Sequence, residues 1–504
     1  MYGNGDTICA LATPQGGGAI GIVRLSGTES VQIADSLFSG SLEKAEACKM
    51  VYGSLRDKEE VIDDVLAVVF RAPRSYTGED CVEIYCHASS YIEQKIVMSL
   101  ISKGARMAEP GEFSKRAFLN GKMDLTQAEA VADLIASQTA AAHKVALNQM
   151  RGGFSNELKA MRKELLDLVS LMELELDFSE EDVEFADRAQ LKGLLEAVGE
   201  KIDRLIASFS LGNVIKNGVP VAIVGATNTG KSTLLNALLG EEKAIVSDIH
   251  GTTRDVIEDC INLNGITFRF IDTAGIRQTQ ETIEIIGIER TYSKLKQAAV
   301  VILMLDSLRS DDFAASIANL AERFNPEMQK LIIVLNKIDG LEPDALQSKV
   351  SDKGGSTEEA THTESGVADS SGSGETDGIA ARDIAGLVEK AKALSSPMAP
   401  IDVLPVSAKS GAGLDRLVEV ITGSQKDISL DSDAVLVTNA RHFQALQSAK
   451  AALERVGNGL ETGTPTDLVA QDIREALYHI GTIVGEISTE EILGNIFGKF
   501  CVGK

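Results

Sequence analysis

Nowhere in these 504 residues is there an apolar run of about eighteen or more, the length a membrane-spanning helix needs. The first residues, Met-Tyr-Gly-Asn-Gly-Asp, lack the basic-then-apolar layout of a secretory signal, and a soluble cytoplasmic protein is expected. Cysteine is sparse: the six (Cys9, Cys48, Cys81, Cys86, Cys260 and Cys501) show no paired CxxC spacing, which argues against a zinc ribbon and a disulfide scaffold. Positive charge is also short. Lys and Arg number 49 against 74 Asp and Glu, a net charge of −25, so a nucleic acid must be bound through a local patch or shared with a more basic partner. No fixed-period repeat is present, which excludes a solenoid.

What is there is 44% apolar residues in a chain too long for one core, so several domains are expected. Residues 1–122 mix short β-rich runs (20–25, 65–70, 81–85) with helical stretches, the texture of an α/β domain. Over 128–150, 158–176 and 191–206 the apolar residues recur every three or four positions (Leu158, Met161, Leu165, Val169, Met172), predicting long amphipathic helices in a bundle spanning 123–213. Residues 214–424 alternate strands (219–224, 267–271, 300–305, 331–335) with helices, as in a doubly wound Ras-like α/β domain. Helical texture resumes over 425–504, with helices predicted at 445–456 and 468–480, so the α/β domain reads as an insertion into the bundle. Within it, 348–377 is rich in Ser, Gly, Thr, Glu and Asp and reads as a disordered acidic insertion.

Gly225-Ala-Thr-Asn-Thr-Gly230-Lys231-Ser232 fits GxxxxGK[ST] between a predicted strand and a predicted helix. Its N–H groups can surround phosphates, Lys231 brings a point charge to the β- and γ-oxygens, and Ser232 is the expected magnesium ligand. Asn228, Thr229, Gly230 and Thr233 complete the loop. Asp272-Thr273-Ala274-Gly275 follows a strand, so Asp272 can reach the magnesium shell and the Gly275 amide the γ-phosphate. Asn336-Lys337-Ile-Asp339 follows another, and the Asp339 carboxylate can accept both hydrogen bonds of a guanine edge, which adenine cannot give. Ser407-Ala408-Lys409 is the expected base-backing loop. Between the phosphate loop and Asp272, the segment Ser247, Asp248, Ile249, His250, Gly251, Thr252, Thr253 is the expected switch, with Thr253 completing the magnesium shell. Together these predict a GTPase. Ile276 stands where Ras-like enzymes carry their water-positioning glutamine, so hydrolysis is expected to be slow in isolation or to depend on another polar residue (Glu281 or Glu284 downstream), a partner or a bound cation.

Beyond the GTPase motifs, Asp6-Thr-Ile-Cys-Ala-Leu-Ala-Thr-Pro14, Gly21-Ile-Val-Arg-Leu-Ser-Gly27, Thr77-Gly-Glu-Asp80, Pro110-Gly-Glu-Phe-Ser114, Arg116-Ala-Phe-Leu-Asn120 and Phe500-Cys-Val-Gly-Lys504 resemble the tRNA modification GTPase MnmE (TrmE) family over nearly the whole chain. The resemblance implies an α/β folate-binding and dimerising N-terminal domain, a helical domain and an inserted GTPase domain. It implies a homodimer working with an FAD-dependent MnmG-type partner to modify the wobble uridine of tRNA (5-carboxymethylaminomethyl or aminomethyl addition), with 5-formyltetrahydrofolate or a related derivative giving the carbon. By position, Arg24, Glu83, Lys122 and Lys504 match folate-contacting residues. Asn228, Ser247, Ile249 and Thr252 match a potassium site, and Glu284 matches the water-orienting glutamate. Cys501 lies in a terminal Cys-x-Gly-Lys motif, as a nucleophile or redox group, or as a buried thiol shaping the folate pocket. Gly17, Thr227 and the pair Ala88-Ser89 depart from the family pattern. A regulatory, RNA-associated GTPase without modification chemistry is the alternative. It needs neither the folate-type residues nor the terminal motif.

Overall fold

In the computed structural model, residues 5–15, 18–177, 188–241, 259–271, 295–309, 313–321, 323–326, 328–340, 402–423 and 435–503 are described. They fall into two compact units. One holds the described residues up to Lys216 and those from 435 onward; the other holds those from Asn217 to 423.

In the first unit, β-branched runs alternating every two residues build a mixed sheet from β1 (Ile8–Leu11), β2 (Ile20–Ser26), β3 (Met50–Asp57), β4 (Glu60–Phe70), β5 (Cys81–His87) and β6 (Arg106–Met107). The order is β3-β4-β5-β2-β1-β6, antiparallel except for the β1–β6 pair. One face, including Val23, Leu25, Ala67 and Ile84, is buried with residues of α1 (Ser30–Asp35) and α2 (Ser90–Ser102). The alternate residues form the other face, where Arg24 pairs in register with Glu83, and Tyr52, Leu66, Tyr85 and Ile22 form one cross-strand row.

After α3 (Glu112–Leu119) the chain turns helical: α4 (Leu125–Ala136), α5 (Ala140–Met150), α6 (Gly153–Asp177) and α7 (Arg188–Asn217). The single helix expected over 128–150 is two. Ser137 takes extended backbone, and the Thr139 side chain caps α5 by accepting from the Ala142 N–H, competing locally with helix continuation. Three more helices of this unit, α11 (Ala440–Thr462), α12 (Thr466–Val484) and α13 (Glu490–Phe497), follow the second unit in the chain. Leu158, Met161 and Leu165 of α6, Val198 and Ile202 of α7, Leu446 and Ala449 of α11, and Ile473 and Ile480 of α12 share one core. The bundle is therefore completed from both sides of the intervening segment, as the sequence predicts.

The second unit carries β7 (Val219–Gly225), β8 (Asp259–Leu263), β9 (Ile266–Ile271), β10 (Val300–Asp306), β11 (Lys330–Asn336) and β12 (Asp402–Pro405), with helices α8 (Lys231–Glu241), α9 (Phe313–Ala321) and α10 (Leu414–Gly423). Its order, β12-β11-β10-β7-β9-β8, is parallel except for the β8–β9 pair. β10 is buried along its whole length, as a central parallel strand must be. This is the Ras-like sheet, with its loops at the carboxyl ends of the strands. Among the described residues, no helix is long and apolar enough to cross a membrane.

Candidate functional site

The phosphate loop leaves β7 at Gly225 and enters α8 at Lys231, the strand-to-helix turn that aims amides at an anion. Asn228 adopts φ +62°, a left-handed conformation asparagine tolerates better than most side chains. Gly230, at φ +98°, has no alternative: a Cβ there would overlap the Asn336 side chain. Thr229 Oγ1 donates to the Ala226 carbonyl at 2.9 Å. Lys231 Nζ donates to the carbonyls of Gly225 (2.9 Å) and Ala226 (2.7 Å), so its ammonium lies across the loop where phosphate oxygens would replace those acceptors. Ser232 and Thr233 open α8.

Asn336 binds three loops together. Its Nδ2 donates to the Thr229 carbonyl at 2.8 Å, its Oδ1 accepts from the Ala408 N–H at 2.9 Å, and its own carbonyl accepts from Ser307 N (3.0 Å) and Oγ (2.7 Å). Lys337, at φ +68°, turns the chain and pairs with Asp306 at 2.7 Å. Ser407 Oγ donates to Asp339 Oδ1 at 2.7 Å, and this hydrogen bond holds the Asp339 carboxyl below the ordinary carboxylate range. The carboxylate is thus ionised and lies beside the Ser407-Ala408-Lys409 loop, where it can accept hydrogen bonds from a donor edge. Of the predicted nucleotide residues, the structure brings together 228–233, Asn336, Lys337, Asp339 and 407–409. Residues 247–253, Asp272 to Gly275, Ile276, Glu281 and Glu284 lie outside the described residues, as do Gly17, Lys504 and the acidic stretch 348–377.

In the first unit, Arg24 and Glu83 face each other across β2 and β5, with Nε at 2.9 Å and Nη2 at 2.8 Å from Glu83 Oε1. The Tyr85 hydroxyl donates to Glu83 Oε2 at 2.9 Å, and the Arg24 guanidinium stands 5.4 Å from the Tyr76 ring centre and 5.7 Å from that of Phe113. Carboxylate, guanidinium and aromatic rings side by side, with the two charged side chains 15% and 21% exposed, suit a flat heterocycle with a donor edge. Lys122 Nζ donates to the Pro73 carbonyl at 2.9 Å, from the loop that carries Tyr76.

The C-terminal segment docks here backbone against backbone. The Gly111 N–H donates to the Cys501 carbonyl at 3.3 Å, and Arg24 Nη1 reaches the Gly503 carbonyl at 3.5 Å. Gly111 and Gly503 both have positive φ, and a Cβ on either would overlap a carbonyl oxygen of the facing segment, Phe497 or Leu11. Cys501 is exposed, so the thiol is not buried as one of its two readings required.

Sequence reasoning did not find the ion network beneath this site. Arg116 donates to Asp6 Oδ1 (2.7 Å), Glu112 (3.1 Å) and Glu79 (3.2 Å), and Arg106 donates to Asp6 and to Glu112 (2.6 Å). Burial raises the Asp6 and Glu112 carboxyls, but the two guanidiniums outweigh it and hold both below their ordinary values. Asp6, Glu79, Glu112 and Arg116 fall within four of the segments that carry the family resemblance. Tyr85 was also missed, although strand alternation places it on the face of Arg24 and Glu83.

A Ras-like sheet with this phosphate loop defines a GTP-binding protein of the P-loop GTPase class. Residues 7–122 match the family described as GTP-binding protein TrmE N-terminus, and 125–501 the MnmE helical domain. The tRNA modification GTPase MnmE of Bacteroides fragilis (strain ATCC 25285) is 48% identical over 511 residues, covering 99% of this chain and 100% of that protein. Those of Bacteroides thetaiotaomicron (48% over 508 residues) and Flavobacterium johnsoniae (46% over 509) each cover the same 99% and 100%. The chain belongs to the MnmE family of tRNA modification GTPases.

Proposed function

We propose that this GTPase is the nucleotide-driven subunit of a tRNA wobble-uridine modification enzyme that draws a one-carbon unit from a tetrahydrofolate derivative. The observation that carries the reading is the docking of the Cys501–Gly503 backbone beside the Arg24–Glu83 pair, a second polar and aromatic site that a plain switch does not need. Arg24, Glu83, Lys122 and Lys504 hold the folate, whose bound form supplies the carbon, and exposed Cys501 is the group available to act as a nucleophile. The domain limits follow: 1–122 binds folate and dimerises, 123–213 and 425–504 form the helical domain, and 214–424 hydrolyses GTP. The apolar row of Tyr52 (72% exposed), Leu66 (39%), Tyr85 and Ile22 on the open sheet face supports a homodimer through this domain. With a net charge of −25, much of the basic surface for tRNA belongs to an FAD-dependent MnmG-type partner in a heterotetramer, in the cytoplasm.

In the nucleotide site, Ser232 and Thr253 hold magnesium, and Asn228, Ser247, Ile249 and Thr252 hold potassium. A cation there neutralises charge developing on the phosphates, the role an arginine finger has elsewhere, worth about 10³–10⁵ in rate. Glu284 orients the attacking water in place of the glutamine absent at Ile276. Two experiments test the reading. Nucleoside analysis of bulk tRNA from cells lacking the protein should show loss of the wobble-uridine modification; an unchanged profile would favour a regulatory GTPase. Hydrolysis should be much faster in potassium than in sodium, and equal rates would remove the cation from the scheme.

A further inference from the structure

The second unit is spliced into the chain between Lys216 and 435, and the structure clasps the two connections side by side in the first unit. Going out, α7 presents Ser208, Gly212 and Lys216. Coming back, the Val437 N–H donates to Ser208 Oγ at 3.0 Å, and the Val437 carbonyl lies so close to Gly212 that a Cβ there would overlap it. Gln149 Nε2 donates to the Leu436 carbonyl at 2.9 Å, and α11 begins at once with Arg441 and His442.

Both connections bear on one helix, α4. Lys216 pairs with Asp133 at 2.7 Å. One turn earlier, Glu129 Oε1 accepts from Arg441 Nη2 (3.1 Å) and Nε (3.3 Å), while His442 Nε2 lies 2.7 Å from its Oε2. Arg441 also donates to the Thr482 and Ile483 carbonyls at 2.7 and 3.2 Å, closing the end of α12. Glu129 and His442 are buried. An ion cluster in such a place stabilises no better than well-packed apolar side chains would, so its retention fits a role in fixing or switching an arrangement.

The other end of α4 leads to the one-carbon site. Asp124 caps the helix with a full capping box, binds Thr126 Oγ1 (2.7 Å) and Lys159 (3.0 Å), and stands two residues after Lys122. Leu125 and Ala128 are buried with Leu493 and Phe497 of α13, which leads into the docked tail. At 1.5 Å per residue, the twelve residues of α4 form a rod of about 18 Å, anchored at both ends.

We propose that Asp133 and Glu129 are positioning residues that couple the paired connections of the GTPase unit, through α4, to the segment carrying Lys122. The functional meaning of Lys122 rests on the one-carbon reading above; the coupling itself does not, and its test uses no folate.

Hydrogen–deuterium exchange of the full-length protein, with GDP and with a non-hydrolysable GTP analogue, reads the coupling in peptides covering residues 111–124. In the unaltered chain their exchange rates should differ about fivefold or more between the two nucleotides, the low end of ordinary coupling energies. Asp133→Asn and Lys216→Met should each abolish most of that difference while hydrolysing GTP within about twofold of normal, because neither residue belongs to the nucleotide site. The charge-exchanged pair Asp133→Lys with Lys216→Asp should restore it, which a role resting on side-chain size alone would not. No nucleotide dependence in the unaltered chain, a difference that survives both single changes, or no rescue in the exchanged pair would each overturn the proposal.

Discussion

Asn336→Ala tests whether nucleotide affinity depends on a side chain whose two amide hydrogen bonds go to protein. The change removes the donor to the Thr229 carbonyl and the acceptor for the Ala408 N–H, at a residue 3% exposed. Leaving a buried polar group without its partner costs about 1–3 kcal/mol, so the two lost bonds amount to about 2–6 kcal/mol. Part of this is lost as fold stability and part as preorganisation, because the phosphate loop and the 407–409 loop are no longer held at one spacing. If half falls on binding, GDP affinity drops by about 1–3 kcal/mol, roughly 5- to 150-fold. Titration with a fluorescent GDP analogue, paired with thermal unfolding in the absence of nucleotide, separates the two shares. Asn336→Asp sharpens the test. It keeps an acceptor for Ala408 but sets a carboxylate oxygen against the Thr229 carbonyl, so it should bind no better than the alanine variant. Affinity within about twofold of normal with an unshifted unfolding curve in Asn336→Ala would refute the bridging argument.

Three further outcomes follow from the first unit. Burial raises the Glu129 carboxyl, but His442 and Arg441 outweigh it and hold it at about 2 against an ordinary 4.5. A depressed carboxyl gives stability that is whole above pH 4.5 and is lost as pH falls toward 2. His442, pushed down from 6.5 by burial, adds a loss that begins as pH drops below that value. Melting temperature should therefore fall with acid, and Glu129→Gln should flatten the fall below pH 4.5; an unchanged slope there would contradict the assignment. Gly111→Ala, forced to keep φ +68° and to push a methyl into the Phe497 carbonyl, should cost at least about 1–2 kcal/mol and speed protease cleavage of the C-terminal segment, with GTP hydrolysis unchanged; equal cleavage rates would show the segment is held elsewhere. Arg24→Ala should weaken binding of 5-formyltetrahydrofolate by about tenfold or more, the loss of a charge-assisted hydrogen bond, and leave GTP binding untouched, as calorimetry can show directly.

The phosphate loop's geometry was readable because its determinants are contiguous: a glycine-bearing turn between strand and helix is written in adjacent residues, and 225–233 form that turn in the structure. The insertion was readable too, since apolar spacing on both sides of the α/β segment has the same helical period and completes one core. The Asp6–Glu79–Arg106–Glu112–Arg116 network was not, because each member is a lone charge until the sheet, the 72–80 loop and α3 meet. Likewise Glu129 and Arg441, 312 residues apart, carry no local signal of each other. The break between α4 and α5 escaped notice because neither glycine nor proline marks it. A threonine cap does the work instead.

The shared core of α6, α7, α11 and α12 has a consequence for how the protein is made. Its first half is synthesised by Leu205 and its second half begins at Val437, so 232 residues must be added before the two can meet. At about 5–20 residues per second, that delay is roughly 12–46 s. During it the GTPase unit emerges, while Leu158, Met161, Leu165, Val198 and Ile202 have each other but wait for α11 and α12. The clasp at Gly212 and Val437 can close only when that wait ends. Newly made chains thus expose the apolar face of the unfinished bundle longest during the translation of a different domain.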